Sequence, residues 1–559
     1  VIIAPAALYF VTACRTPGWA DATLVVSQAA GLELSSWVDT HSLFNLFGHA
    51  WLKLFGPNEI AFHLVLLCGL FGVAAVFFVY RALLELTAEP VSAFASAMVL
   101  AVSHSLWWHS TMVEAYSLNA ALIAAMVFLV ARHERTSRPL PLYAAALLWG
   151  LGCTNHLLMW LFLPSFAALL VYRIARPVRR NGLHLAVAIL CFLTGLSLYL
   201  VLFAGRLRAE ILAASMPGLP WQQAAREGFR NAFDASTGGE FRSLMFPRGL
   251  APEVRRFWRL NYLFWFAVNF PSPALPAGLC GLWLLLQRRK RRLSFLFLAL
   301  GLVAQAAWSA NYFVWDMFAF SMPVYVLFSI PVGISAGRLL RAARPATRLL
   351  WPLLAVSVVL PGVLYARLPV LDRAGGAFSH FLDSYPQMSW TAHTWDPVPY
   401  VLNPDKRTYD KVERYARALF AVLPPGAHLL NSDCRSDYPL RYYYRDICGI
   451  RRDIRHHPLY SPWLTPQAAL PVARDIEEAL GRGEPVYSAS ILYPEKLVLD
   501  QLALLLDPSR SLPSLQGLTE EQYARRFPGV ELRRVVLVEE EEVWIYCLER
   551  RSSATAPPP

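Results

Sequence analysis

Four places in the sequence bring together carboxylate, imidazole and amide groups, the side chains that accept a proton, hold a hydroxyl or bind a cation. Asp21, Glu33, Asp39 and His41 fall between residues 15 and 58, and His104, His109 and Glu114 lie in or beside "WWHSTMVEAYSLN" (107–119). Asn155 and His156 sit in "GCTNHLLMW", and Asn311 and Asp316 in "SANYFVWDMF". Each group interrupts runs that are otherwise almost wholly apolar. A charge at membrane depth costs several kcal/mol, which makes such a residue a functional suspect. The plain alternative is a water-exposed helix end, and an isolated loop carboxylate is more often solvated than catalytic.

The elements that position these groups follow from composition. Of 559 residues, 56% are hydrophobic and 16% charged, too apolar for an ordinary soluble enzyme of this length. Stretches able to cross ~30 Å of hydrocarbon recur through the first two-thirds. They predict about eleven spans, at 1–14, 59–80, 91–106, 114–131, 141–154, 157–172, 183–203, 261–286, 293–309, 317–337 and 348–366. Some are short, which leaves tilted or re-entrant segments open. The opening "VIIAPAALYFVTAC" resembles the latter part of a spanning helix, and no initiator Met precedes it.

Orientation comes from the basic connections. Arg81, "RHERTSR" (132–138), "RIARPVRR" (173–180), "RRKRR" (288–292) and "RLLRAARPATR" (338–348) fall on every second connection. Those five connections hold seventeen Lys and Arg against three acidic residues, a surplus larger than the chain's net +12. The positive charge is therefore topological and calls for no nucleic-acid partner. The basic side is expected to be cytoplasmic. The connections 15–58, 104–113, 152–156, 204–260 and 309–316, with everything after 367, then face outward. The 204–260 stretch runs against the charge rule with nine arginines, a rule that binds long loops less tightly.

From about residue 370 charges return. "YDKVERYARALFAVL" (409–423) and "TPQAALPVARDIEEAL" (465–480) have helical periodicity, and "AHLLNSD" (427–433), "PVYSAS" (485–490) and "EEVWIYCLE" (541–549) read as strands. The expected organisation is a membrane domain at 1–366, a soluble α/β domain at 367–550 and a disordered tail at 551–559. Of eight cysteines, only Cys434 and Cys448 lie near each other in the outer tail, where a disulfide is open. No CxxC, zinc spacing, phosphate loop or Gly-x-Ser-x-Gly elbow is present.

On this topology the unusual polar groups gather on the outer side, while span interiors hold almost no ionisable residues. That suits a site at the outer membrane surface better than a transport path, which usually places charges near the midplane. A flippase of lipid-linked saccharides and a non-catalytic membrane scaffold remain the rival readings.

The sequence resembles the GT-C superfamily of membrane glycosyltransferases and, within it, the domain-of-unknown-function 2723 family, which includes protein O-mannosyltransferases. The resemblance covers most of the chain. It rests on "WADATLVVSQAAGLELSSWVDTHSLFNLFGHAW" (19–51), "WWHSTMVEAYSLN" (107–119), "GLGCTNHLLMWLFLP" (150–164), "NYFVWDMFAFSMPVY" (311–325) and "LPPGAHLLNSDCRSDYPLRYYYRDICGIRRDI" (423–454). Relatives read Gly-Asp-Ser-Gly-Glu after the first span. Here Asp21 keeps the aspartate and Leu24 replaces the glutamate. Relatives then carry His-Pro-Pro-Gly-Tyr-Pro, where "WVDTHSLF" supplies Asp39 and His41.

The resemblance implies a polytopic α-helical GT-C-like membrane protein with a C-terminal soluble α/β domain. It implies transfer of a sugar from a polyprenyl-phosphate carrier to a protein, glycan or lipid hydroxyl on the outer face. Such chemistry needs a carboxylate base and positive charge on the departing phosphate. Asp21 is the first expectation for the base and Asp39 the second. Glu114, His109, His41, Asn155, His156 and Asp316 are expected to line the substrate pocket. Arg206, Arg208, Arg255 and Arg256, near the two ends of 204–260, are expected to meet phosphate, with headgroup anchoring the alternative for each. The absence of a nucleotide-sugar motif agrees with a lipid-linked donor. No cofactor is required, and a divalent metal stays open.

Overall fold

The computed structural model describes the chain except for residues 175–180, 216–219, 288–291, 315, 342–343, 377–396, 432, 460–464, 491–492, 507–521, 524–529, 539–542 and 551–559. Much of two basic connections (175–180 and 288–291), Trp315 and the tail after 550 thus lie outside the described residues. The chain forms two units, each continuous in space but not in sequence. One comprises Val1–Arg15, Gln28–Val370 and Leu402–Thr408; the other comprises Thr16–Ser27, Leu371–Val401 and Tyr409–Pro559. The helix Arg344–Gly375 runs through the 366/367 boundary expected from composition.

The first unit is helical, and the protein is an integral membrane protein. Among the described residues six helices are long and apolar enough to cross a bilayer: Ile60–Thr87, Tyr116–Thr136, Gly182–Ala214, Arg292–Ser309, Met322–Leu340 and Trp351–Asp372. A seventh counts if Pro90–Ala101 and His104–Thr111, bent by 62°, form one broken span. The remaining expected spans are helices too, but shorter. Residues 261–286 were expected as one span and divide into Pro252–Asn269 and Ala274–Leu286, because Pro271 and Pro273 cannot continue the hydrogen-bond ladder.

The stretch 204–260, expected as a loop, is largely helical. The helix that begins at Asn181 continues to Ala214, and Trp221–Thr237 forms an amphipathic helix with Trp221, Phe229 and Phe233 exposed. This second helix is tied to the first outer connection through Val38 N–H to Ala235 O (3.1 Å) and Ser236 Oγ–H to Ser36 Oγ (2.9 Å).

Helix contacts in the bilayer depend on small residues. A Cβ on Gly150 would lie 2.1 Å from the Phe192 carbonyl oxygen, and one on Gly195 would lie 2.3 Å from the Leu147 carbonyl oxygen. Helices Leu140–Asn155 and Asn181–Ala214 therefore meet backbone to backbone. Carboxylates of the basic connections serve structure. Glu85, 5% exposed, pairs with Arg132 and Arg135. Glu134 accepts from Leu293 N (2.9 Å), Ser294 N (3.2 Å) and Ser294 Oγ (2.6 Å), capping the helix Arg292–Ser309.

The second unit is built on a mixed five-stranded sheet in the order β2-β1-β3-β5-β4. β1 (His428–Asn431), β2 (Arg455–Pro458) and β3 (Val486–Ser488) are parallel, while β4 (Val530–Val538) and β5 (Val543–Arg550) complete an antiparallel edge. Helices Lys411–Val422, Pro466–Gly481 and Tyr493–Leu506 accompany it, and Leu430, Ile476, Val486, Leu502 and Trp544 are among its buried core. Cys448 is an exposed free thiol, and the side chain of Cys434 lies outside the described residues.

Candidate active site

Within the membrane unit, three helix connections converge on a row of rings. His41, just before helix Ser42–Phe55, stacks on His156 with centroids 5.3 Å apart and planes at 12°. His156 breaks the chain between helix Leu140–Asn155 and the turn Leu157–Phe162. Its other ring neighbours are Tyr116 (4.9 Å) and Phe320 (5.9 Å). Tyr116 in turn meets His109 (5.0 Å), which packs on Trp108 (4.8 Å) and Phe318 (5.4 Å).

Backbone partners decide the tautomers. The His41 Nδ1 lies 2.8 Å from the Asn155 carbonyl oxygen, which can only accept, so Nδ1 carries the proton and Nε2 keeps its lone pair. The His156 Nδ1 instead accepts from Leu158 N–H at 3.1 Å, which leaves the proton on Nε2. Two stacked imidazoles therefore offer opposite functions, an acceptor on His41 and a donor on His156. Burial lowers both pKa values below the ordinary histidine range, and the neighbouring His41 charge depresses His156 further. Both rings are neutral at pH 7 and partly open to solvent. His109 donates from Nδ1 to Ser105 O (2.6 Å) and is 1% exposed.

Asn155 fixes this corner. Its Nδ2 donates to Ala115 O (3.2 Å), and its Oδ1 is buried with no hydrogen-bond partner. Glu114, half-buried, precedes that carbonyl, and its own backbone oxygen accepts a weak bond from Cys68 Sγ (3.5 Å). Asp316 stands at the head of the short helix Met317–Phe320, which supplies Phe318 and Phe320 to the row. Asp39 is exposed, and its carbonyl accepts from Gln28 Nε2 (3.4 Å).

Of the four arginines, Arg206 reaches the first outer connection. Its guanidinium lies 4.7 Å over the Trp37 ring, pairs with Glu210 (3.1 Å), and keeps a buried Nε without a partner. Arg208, Arg255 and Arg256 are exposed on helices, and among the described residues no hydrogen bond or ion pair ties their side chains to the ring row.

Asp21 belongs to the other unit, at the start of helix Asp21–Gly31. Its side chain is exposed, and desolvation by the surrounding protein raises its pKa above the ordinary carboxylate value.

Two participants escaped the sequence reading. Tyr116 bridges His109 and His156, and it lay in plain view inside the "WWHSTMVEAYSLN" segment. Lys406 is 1% exposed and returns to the membrane unit through Lys406 N–H to Thr12 O (2.9 Å) and Thr111 Oγ–H to Pro404 O (2.8 Å). Its ammonium sits 5.6 Å over Trp108, and burial pushes its pKa down to about 7. Among the described residues no three His, Cys, Asp or Glu converge to hold a metal ion, and both stacked imidazoles already commit Nδ1.

The architecture is a helical membrane unit with a second unit built on a mixed sheet. The chain has the fold of ArnT from Cupriavidus metallidurans. It matches the structure bound to undecaprenyl phosphate at a TM-score of 0.57 and 12% identity, over 100% of this chain and 98% of that one. The apo form matches at 0.51 and 12%, over 99% and 97%. Residues 40–179 match a family model described as the Protein O-mannosyl-transferase TMEM260 N-terminal domain. The mouse Protein O-mannosyl-transferase TMEM260 is 26% identical over 137 residues, which is 24% of this chain and 19% of that protein. The match spans about a fifth of that relative's length. It includes His41, His109, Glu114, Tyr116, Asn155 and His156, and leaves out Asp21, Asp39 and the four arginines.

Proposed function

We propose that the protein is a membrane glycosyltransferase that moves a sugar, mannose by its relation to the O-mannosyltransferases, from a polyprenyl-phosphate carrier to an acceptor hydroxyl. The observation that carries this reading is the His41–His156 pair. Adjacent sugar hydroxyls offer one donor and one acceptor at close spacing, and a neutral acceptor Nε2 beside a neutral donor Nε2–H answers both. Tyr116 and Phe320 give the flat apolar wall on which a pyranose ring packs. The bound undecaprenyl phosphate of ArnT supports a lipid carrier, and Arg206 over Trp37 is the cation for the departing phosphate.

Asp21 accepts the acceptor's proton as its oxygen attacks the anomeric carbon, and the sugar–phosphate bond breaks with the electron pair leaving on the phosphate. A raised pKa suits that task, since a base works best with a pKa near the operating pH. Asp39 is the second choice. The related O-mannosyltransferases favour a protein acceptor, and the pattern of basic connections supports a reaction on the extracytoplasmic side. The test is purified protein with polyprenyl-phosphate [¹⁴C]mannose and a hydroxyl-bearing peptide. Labelled product is expected. Transfer from a nucleotide sugar in carrier-free membranes would contradict the reading. Passage of labelled lipid across vesicles without product would favour a flippase.

A further inference from the structure

In the soluble unit β1 lies between β2 and β3, and the chain leaves β1 to one side and returns to the other. In such parallel arrangements the carboxyl end of the central strand, at the reversal of strand order, is where a ligand is held. Here that position receives a piece of the chain's own N-terminal region. Asp433, just past β1, caps helix Cys434–Tyr438 and binds the Arg435 guanidinium, which fixes the start of the turn. The Arg435 carbonyl accepts Ala20 N–H at 3.1 Å. Ala20 has φ +53°, a left-handed conformation that a residue with a Cβ adopts at a cost of about 1 kcal/mol.

The other side of the segment is clamped as firmly. Trp19 is 1% exposed; its Nε1–H donates to Tyr409 Oη (2.7 Å), and its ring packs on Tyr415 (5.8 Å). Thr16 Oγ–H donates to Tyr409 O (3.1 Å), and Thr23 Oγ–H closes the turn on Gly18 O. Thus every anchor named here for residues 16–23, apart from that last internal bond, comes from residues 409–435. Asp21 is the next residue after Ala20.

We infer that the soluble unit is a working part of the catalytic apparatus: it seats the Trp19–Asp21 turn, with Tyr409 and Arg435 as positioning residues for the Asp21 carboxylate. This rests on the reading of Asp21 as base. The seat sets both where the carboxylate points and how dry it is. Near the Arg435 carbonyl that anchors the turn, Arg435 pairs with Asp433, and Asp437 pairs with Arg441 and His456. Desolvation is accordingly the cause of the raised Asp21 pKa.

The test is a cycle on the full-length protein with Trp19→Phe, Tyr409→Phe and the double variant, beside Asp21→Asn. Tyr409→Phe removes one hydroxyl and keeps the ring, whereas Trp19→Phe removes the indole N–H and also trims a buried ring system. Each should lower kcat roughly 10-fold, in line with the large cost of small misplacements at a reacting centre, with donor KM within about 2-fold. The acid limb of kcat should move to lower pH as Asp21 becomes better hydrated, and the double variant should be no worse than the worse single. Unchanged kcat and acid limb in both single variants, with Asp21→Asn inactive, would overturn the seat alone. Full turnover in Asp21→Asn would overturn the base and, with it, the catalytic role of the seat. Thermal unfolding of Tyr409→Phe within about 2 °C of wild type is expected. A large drop instead, with the acid limb in place, makes these contacts structural and also overturns the proposal.

Discussion

Replacing His156 with Phe keeps a flat ring against His41, Tyr116 and Phe320 while removing the titrating nitrogens. In the native protein burial, and then the His41 charge, hold the His156 pKa well below its ordinary value of 6.5. As pH falls through that value the unfolded chain takes up a proton here and the folded one does not. The native state therefore loses stability toward acid and keeps it in full above pH 6.5. The limiting slope is about 1.4 kcal/mol per pH unit for one ring. Because the ring is partly exposed, solvent screening discounts this to roughly 1 kcal/mol between about pH 6.5 and 5.5. In a chain of this size that is about 1–2 °C in Tm. The variant also loses the acceptor for Leu158 N–H, but that cost is the same at both pH values and cancels in the difference. Detergent-purified protein should be unfolded thermally at pH 7.5 and 5.5 with tryptophan fluorescence as readout. The fall in Tm should be larger in wild type than in His156→Phe by that amount. Equal falls would refute a ring held neutral by its surroundings and, with it, the donor–acceptor pairing of the two imidazoles.

Arg206→Ala removes the guanidinium over Trp37 and should raise donor KM several-fold with a smaller effect on kcat, read from initial rates over a donor series. Lys406→Met should stabilise the protein by about 1–3 kcal/mol at pH 7, because the unfolded chain binds this proton up to the ordinary lysine value while the native state releases it near 7. The gain should shrink as pH rises toward 10, and a Tm series over that range checks it. Gly150→Ala drives a methyl into the Phe192 carbonyl and should cost about 2 kcal/mol or more, seen as lost monodisperse protein in detergent. Ala20→Val puts a β-branched residue at φ +53° and should lower Tm and turnover together.

Periodicity and apolar length were enough to place the long helices, because a spanning helix must bury every backbone polar group within its own ladder. They were not enough at 261–286, where composition stays apolar across a break set by Pro271 and Pro273. They also missed the helix Trp221–Thr237, whose charged face reads as loop under a hydropathy window. In the soluble unit β1, β3 and β5 were visible as apolar runs. β2, Arg455–Pro458, was not, since a charged edge strand carries no apolar alternation. At the site, the residue types were legible, including His41, Asn155 and His156. Their pairing was not, because the tautomers depend on which backbone group each ring meets, and no one-dimensional pattern records that. Asp21 was legible as a carboxylate after the first apolar run, while its seat on residues 409–435 is a long-range contact with no local signature.

That contact also sets a timetable for the making of the protein. The bond from Trp19 to Tyr409 joins residues 390 positions apart. At the usual 5–20 residues per second, the ribosome adds that length in about 20 to 80 seconds. During that interval the membrane helices are inserted and the turn before Asp21 has nothing to rest on. A chain interrupted between residues 375 and 409 carries the helices and the imidazole row but not the contacts that hold the Trp19–Asp21 turn. On the reading of Asp21 as base, such a chain is inert until the 409–435 segment has been made.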